Sequence, residues 1–429
     1  MSIRRSGRKT IVTAALCSTA VFVAACGSST TTTTTSGSGG APGSGTLSGP
    51  VILGDLAGFT GSEAPFGQAF NEGCQVAIRE INDSGGILGQ KVQISNGDEL
   101  SDPIDAVAAL QKLINIDHVV GIIGPQTPEI GATQPIIDRF KIPDMFQGGS
   151  TDFDQLKDPW IWRASASDSQ EGVAMALYAI KKGYKNAAIM FSTEASAQTL
   201  KPVLQHIFES LGGHIVISVD LTTGQSSYRS EVQRVIDAHP DVIFDHQDPA
   251  TAGTLFSNFH EANNFAIPFV GTDSTTGSDY NNAIGIPVSN AHLVSLIGGS
   301  EPGGGGDVFN KWYAKVYSHQ PLANANYAYD AVMVLALAIE YANTTDPQAM
   351  VNAIPNVSNP PGTTVSDWAT AVSDLKAGKK INYDGASGPM DFNQYHNVFG
   401  PFDAVQVDLQ GNEQIQQTFT AADLNTATK

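Results

Sequence analysis

Cysteine is nearly absent: three in 429 residues, at positions 17, 26 and 74. So few, so widely spaced, exclude a disulfide framework and a cysteine-rich metal knot. Basic residues are also scarce, 23 Lys and Arg against 42 Asp and Glu, for a formal charge of −19. No basic stripe exists to hold a phosphate backbone, so nucleic acid and anionic membrane surfaces are excluded as partners. After residue 25 no apolar run approaches the ~20 residues that span a bilayer. The G-x-S-x-G elbow, the G-x-x-x-x-G-K-[ST] phosphate loop and the H-E-x-x-H zinc motif are missing. The nine histidines are scattered. No short-period repeat points to a solenoid.

What is present begins with a leader. Arg4, Arg5, Arg8 and Lys9 precede an apolar segment, 11–25, which ends in small residues before Cys26. The run Val23-Ala24-Ala25-Cys26 resembles a bacterial lipobox. That resemblance implies cleavage before Cys26, a lipid on its sulfur, and anchoring to the outer face of the cell membrane through the lipid alone. The alternative is an ordinary signal peptide with an incidental cysteine. Without the leader's four basic residues the charge is 19 − 42 = −23. Residues 27–50 are Ser, Thr, Gly and Pro with little to bury, the composition of a flexible tether. Cys74 is then the one cysteine left in the fold. It lies on an apolar helix face, as an inert core residue.

Residues 51–94 read as a βαβ unit. Val51, Ile52 and Leu53 form a strand that stops at Gly54. Pro65 opens a helix, and Phe66, Phe70, Cys74, Ala77, Ile78 and Ile81 recur at three- and four-residue steps. Gly85 and Gly86 end it, and Val92 and Ile94 start the next strand. Such a unit puts both strands in one parallel sheet. Asp102-Pro103 caps a second helix. Strands at 119–123, 142–146, 187–191, 215–219, 241–244, 269–271 and 293–296 alternate with helices at 130–140, 197–211, 228–238 and 250–263. The alternation predicts an α/β protein with two doubly wound parallel-sheet domains. The strand at 293–296 reads as returning to the first domain, 303–306 as a surface loop, 327–342 as an apolar helix, 405–407 as the last strand, and 421–429 as a frayed tail.

The order of these segments carries a resemblance. "FGQAF", "INDSGGILG", "DPIDAVAALQKLI", "VVGIIGPQT", "WRASASDSQEG", "YAYDAVMVLALAIEYA" and "GASGPMDFNQYHN" are together similar to the branched-chain amino-acid-binding proteins. These are the type I periplasmic solute-binding proteins of ABC transporters. The resemblance covers about 51–420. It implies two domains joined by three crossovers, 51–167 with 298–388 and 168–297 with 389–420. The ligand then sits in the cleft between them, beyond the carboxyl ends of the strands.

The same resemblance places Phe66 as an apolar wall, although Phe66 equally reads as part of the helix core. Thr127, Gly149, Ser150 and Thr151 stand where hydroxyls and backbone N–H groups hold a carboxylate. Asp273 stands where an acid holds an ammonium, and Ser196 and Asp248 where aromatic residues line the cleft. Pro128 in place of a second hydroxyl, Ser196 in place of an aromatic, and the charge of Asp248 depart from the family pattern and favour a more polar or cationic ligand. The family often carries a disulfide in its first domain; this chain has no pair to form one.

The function expected is capture of a small amino-acid-like solute and its delivery to an ABC permease, without a cofactor or a metal. A ligand sensor signalling through a membrane partner is the second reading. An exported hydrolase using Asp245, His246 and Asp248 is the third.

Overall fold

The computed structural model describes residues 47–262, 265–299 and 304–427. The leader, Cys26 and most of the tether lie outside the described residues. The first lobe opens with β1 (Val51–Ala57), α1 (Ala64–Asp83), β2 (Val92–Asp98), α2 (Pro103–Asn115), β3 (Ile122–Ile123), α3 (Thr127–Phe140), β4 (Asp144–Phe146) and β5 (Ile161–Arg163). Its five strands lie in the order β2-β1-β3-β4-β5, all parallel.

The chain then builds a second lobe from α4 (Asp168–Lys181), β6 (Asn186–Ser192), α5 (Ala195–Ser210), β7 (His214–Leu221), α6 (Arg229–Asp237), β8 (Val242–His246), α7 (Pro249–Glu261), β9 (Phe269–Gly271), α8 (Gly277–Ile284), α9 (Ile286–His292) and β10 (Leu293–Gly298). Next come α10 (Gly305–Val316), α11 (Ala325–Ala342), α12 (Pro347–Ser358), β11 (Thr363–Val365), α13 (Trp368–Lys376), β12 (Ile381–Gly385) and β13 (Gly388–Pro389), whose apolar residues join the core of the first lobe. Finally β14 (Phe402–Val407) and β15 (Glu413–Phe419) complete the second sheet, followed by α14 (Ala421–Ala427). That sheet runs β15-β14-β10-β9-β8-β6-β7, parallel except for the last two strands to join.

The continuous apolar run of β6 has a simple cause. Ala187, Ile189 and Phe191 belong to one helix–sheet layer, and Ala188 and Met190 to the other. A strand covered on both faces cannot alternate with polar residues. For the same reason α11 is apolar between Ala331 and Ile339: it is buried along nearly its whole length inside the first lobe. Asp330 is a fully buried acid just before that run. Its carboxylate accepts from Tyr383 Oη at 2.9 Å, Ala386 N at 2.8 Å, Ser387 N at 2.7 Å and Ser387 Oγ at 2.5 Å. It thereby pins the β12–β13 turn to the helix. Cys74 is a free, buried thiol.

Several local expectations change. Gly54 does not end β1; it lies within it, and its N–H donates to Gly121 O at 2.9 Å. A side chain there would crowd Ile122 Cδ1 at 2.9 Å, so the glycine serves close strand packing. The strand at 293–298 stays in the second sheet, between β9 and β14, and the chain crosses back after it. Gly305 and Gly306 are buried and open α10 rather than a surface loop; Gly303 lies outside the described residues. Residues 405–407 are not the last strand, since β15 pairs beyond them. The tail expected to fray folds as α14 through Ala427, with Leu424 only 2 % exposed beside the core of the second lobe.

Candidate functional site

The carboxyl ends of the parallel strands set the site. In the first lobe they deliver the loops 58–63, 99–102, 124–126 and 147–150; in the second they deliver 193–194, 247–248 and 272–276. The loop after β4 touches helix α5 of the second lobe directly. Ser150 Oγ lies 3.4 Å from Thr199 Oγ1, and Thr151 Oγ1 donates to Thr199 O at 3.4 Å.

The loop after β3 turns at Gly124, whose φ of +97° and close approach to Leu56 O exclude a side chain. Pro128 then occupies the first turn of α3, which starts at Thr127, earlier than the sequence pattern suggests. Thr127 Oγ1 accepts from Ser150 N at 3.4 Å, which brings those two expected site residues together. Gly149 cannot carry a Cβ, which would meet Asp168 Oδ1 at 1.8 Å. Its carbonyl accepts from Asp168 N at 2.8 Å and from Arg163 Nη1 at 3.2 Å. Arg163 is fully buried and also bonds Asp154 at 3.0 Å. The arginine thus ties the loop after β4 to the first crossover.

On the second lobe, Asp273 N donates to Glu171 Oε1 at 2.7 Å, and Asp273 Oδ2 accepts from Asn324 Nδ2 at 2.9 Å. Ser196 Oγ stands 3.5 Å from His246 Nε2, while Thr272 Oγ1 holds Nδ1 at 2.9 Å. Burial lowers His246 to about 4, so the ring is neutral. Asp248 is partly diverted from the role expected of it. One of its oxygens accepts from Ala250 N at 2.9 Å and Thr251 N at 3.1 Å as the N-cap of α7. Phe66 packs on the core of the first lobe, its ring 6.4 Å from Phe70, which is the core position its spacing allowed.

The grouping proposed for a hydrolase is not assembled. Asp245 is buried and accepts from Tyr280 Oη at 2.6 Å, His246 is held by hydroxyls, and Asp248 caps its own helix. Among the described residues no group of three or more His, Cys, Asp or Glu could hold a metal ion.

The loops also bring together carboxylates that motif reading passed over. Glu63 is pushed up to about 8, first by burial and then by the charges of Glu129, Glu194 and Asp273. Two of those three belong to the opposite lobe. The Glu63 carboxylate accepts from Gln126 Nε2. Glu99 rises to about 10 and Glu129 to about 7, mainly through burial. Asp168 rises to about 8 and Glu171 well above the carboxylate range, through burial and the nearby Asp273. A tally of charge over the strand-end loops alone would have found most of this set.

Comparison with known proteins agrees with this frame. The periplasmic binding protein family model matches residues 50–413. The chain is 25% identical over 314 residues to Leu/Ile/Val-binding protein homolog 1 of Brucella abortus, covering 71% of this chain and 82% of that one. It is 24% identical over 363 residues to the chemotactic signal transduction system substrate-binding protein BasB of Halobacterium salinarum, covering 80% and 81%. Its fold is shared by the leucine binding protein LivK of Thermotoga maritima, with a TM-score of 0.72 at 20% identity, over 87% of this chain and 99% of that one. With two α/β lobes whose strand-end loops face one another, and a family match across nearly the whole described chain, the protein belongs to the periplasmic binding protein family.

Proposed function

We propose that this protein captures a small amino-acid-like solute between its lobes and delivers it to an ABC permease. The observation that carries this reading is the meeting of the two lobes at their strand ends, where Ser150 and Thr151 touch Thr199 and Asn324 Nδ2 donates to Asp273. Closure about the crossovers would bury a ligand there and add the second lobe's groups only in the closed state. Thr127, Ser150 and Thr151 would hold an anionic or carbonyl end by their hydroxyls. Gly149 lets that loop lie against Asp168, and Asp273 would receive a cationic end. Ser196 would line the approach, and Asp248 would add charge beside Glu194. In this reading Cys26 carries a lipid that keeps the protein at the outer membrane face. The likeness to a chemotactic substrate-binding protein favours one second reading, a ligand sensor acting through a membrane partner.

The test is a thermal-shift screen of the full chain against amino acids, amides, amines and aromatic acids. A ligand at ~100 times its dissociation constant adds about 2.7 kcal/mol of stability. A saturable shift supports capture, and no shift from any solute counts against it. Reconstitution with the permease, reading ligand-dependent ATP hydrolysis, separates transport from sensing.

A further inference from the structure

The loops at the strand ends contain carboxylates and no lysine or arginine. Residues 58–63, 98–102, 124–129, 147–151, 192–196, 246–251 and 272–276 hold Glu63, Asp98, Glu99, Asp102, Glu129, Glu194, Asp248 and Asp273 without one cationic side chain. Some of these acids are used locally. Asp98 accepts from Phe59 N and Thr60 N, Asp102 caps α2, and one oxygen of Asp248 caps α7. Five remain: Glu99 and Glu129, buried and without a hydrogen-bond partner, and Glu63, Glu194 and Asp273, of which Asp273 accepts from Asn324 of the first lobe and, with Glu194, lies near enough to act on Glu63.

A second observation is independent of charge. Acceptors around this set lack donors. Asn324 is 5 % exposed, gives its Nδ2–H to Asp273, and leaves Oδ1 without a partner beside that carboxylate. Glu129 is fully buried with neither carboxylate oxygen bonded, and its charge acts on Glu63. Gln170, adjacent to Glu171, is 5 % exposed and has no partner for its side chain. Arg163 acts on Asp168 and gives its two Nη groups to Gly149 O and Asp154, with Nε unbonded. Buried acceptors without donors are costly, and buried carboxylates without a counter-charge more so. Glu129 and Asn324 Oδ1 lack donors, and the strand-end loops lack positive charge, both of which a bound ligand can supply.

We propose that the cleft takes a ligand of net positive charge, an amine or guanidine of amino-acid size, held between Glu63 of the first lobe and Asp273 and Glu194 of the second. This rests on the solute-binding reading and narrows it: a zwitterionic aliphatic amino acid, or an aromatic acid, brings too little positive charge for this set.

The experiment is titration calorimetry on the full chain with arginine, lysine, 1,4-diaminobutane and agmatine, against leucine, isoleucine, benzoate and acetamide. At least one of the cations binds and the second group does not. Asp273→Asn and Glu63→Gln each weaken the bound cation about 10- to 100-fold, the range of one charge-assisted hydrogen bond. Glu261→Gln, which removes an exposed partner of Arg229, leaves affinity unchanged. Melting curves of the variants establish that each is folded; both site changes replace a carboxyl of raised pKa by its neutral amide and keep Tm at or above wild type. Binding of leucine, benzoate or acetamide without any cation overturns the charge assignment and leaves solute binding standing. Binding of nothing in either group overturns both. Cation binding that survives Asp273→Asn and Glu63→Gln together overturns the placement.

Discussion

Replacing Glu99 by Gln stabilises the protein at neutral and alkaline pH and does so much less at pH 5. Glu99 follows β2, is fully buried, and has no hydrogen-bond partner for either carboxylate oxygen. Burial, then the charges of Glu129 and Glu63, raise it from 4.5 to about 10. A raised folded pKa means that the folded chain holds a proton the unfolded chain releases. Stability from this group is therefore complete below 4.5 and is lost as pH rises toward about 10. The unfolded state gains about 1.36 kcal/mol per pH unit above its own pKa, a ceiling of about 3.4 kcal/mol at pH 7. Water entry and local relaxation reduce this, and about 1–2 kcal/mol is the expected gain from Glu99→Gln. For lobes of this size each kcal/mol moves Tm by about 2–4 °C. Calorimetric scans at pH 5 and pH 8 read the effect. A fall in Tm at pH 8, or the same rise at both pH values, refutes the reasoning.

Other outcomes follow from single positions. Asp330→Ala strips the acceptor from Tyr383, Ser387 and two backbone N–H groups; urea denaturation should show a loss of about 3–5 kcal/mol, and a loss below about 1 kcal/mol contradicts the pinning role. Leu424→Ala should cost about 2–3 kcal/mol in the same assay because α14 is docked, whereas a frayed tail would cost nothing measurable. Asp102→Ala removes the N-cap that accepts from Ile104 N and Asp105 N and should cost about 1 kcal/mol. Cys74, with its thiol raised well above the usual range by burial, should resist a thiol reagent in the native protein and react on unfolding; rapid native reaction refutes its placement.

The alternation of strands and helices was legible because both sheets are sandwiched by helices, so each strand reads as an apolar run and each helix as a stripe. Asp102-Pro103 and the glycines at 85 and 86 marked helix ends by ordinary local chemistry. Strand β15 escaped because EQIQQTF is an edge strand, with glutamines facing solvent and few apolar residues to mark a period. Helix α14 escaped because its docking rests mainly on Leu424, which no periodicity can flag. At the candidate site, motif reading offered the hydroxyls and Asp273. It could not offer the nearness of Glu63 to Glu194 and Asp273, since that arises from two lobes meeting at residues more than a hundred positions apart. Asp248 was read from its charge, while its geometry is that of a cap.

The central claim is that a small solute is taken between the lobes by hinged closure. Small-angle scattering of the full chain, titrated with whichever solute binds in calorimetry, tests it most directly. The account predicts a saturable decrease in radius of gyration whose midpoint matches the calorimetric one. An unchanged scattering profile at saturating ligand would contradict it.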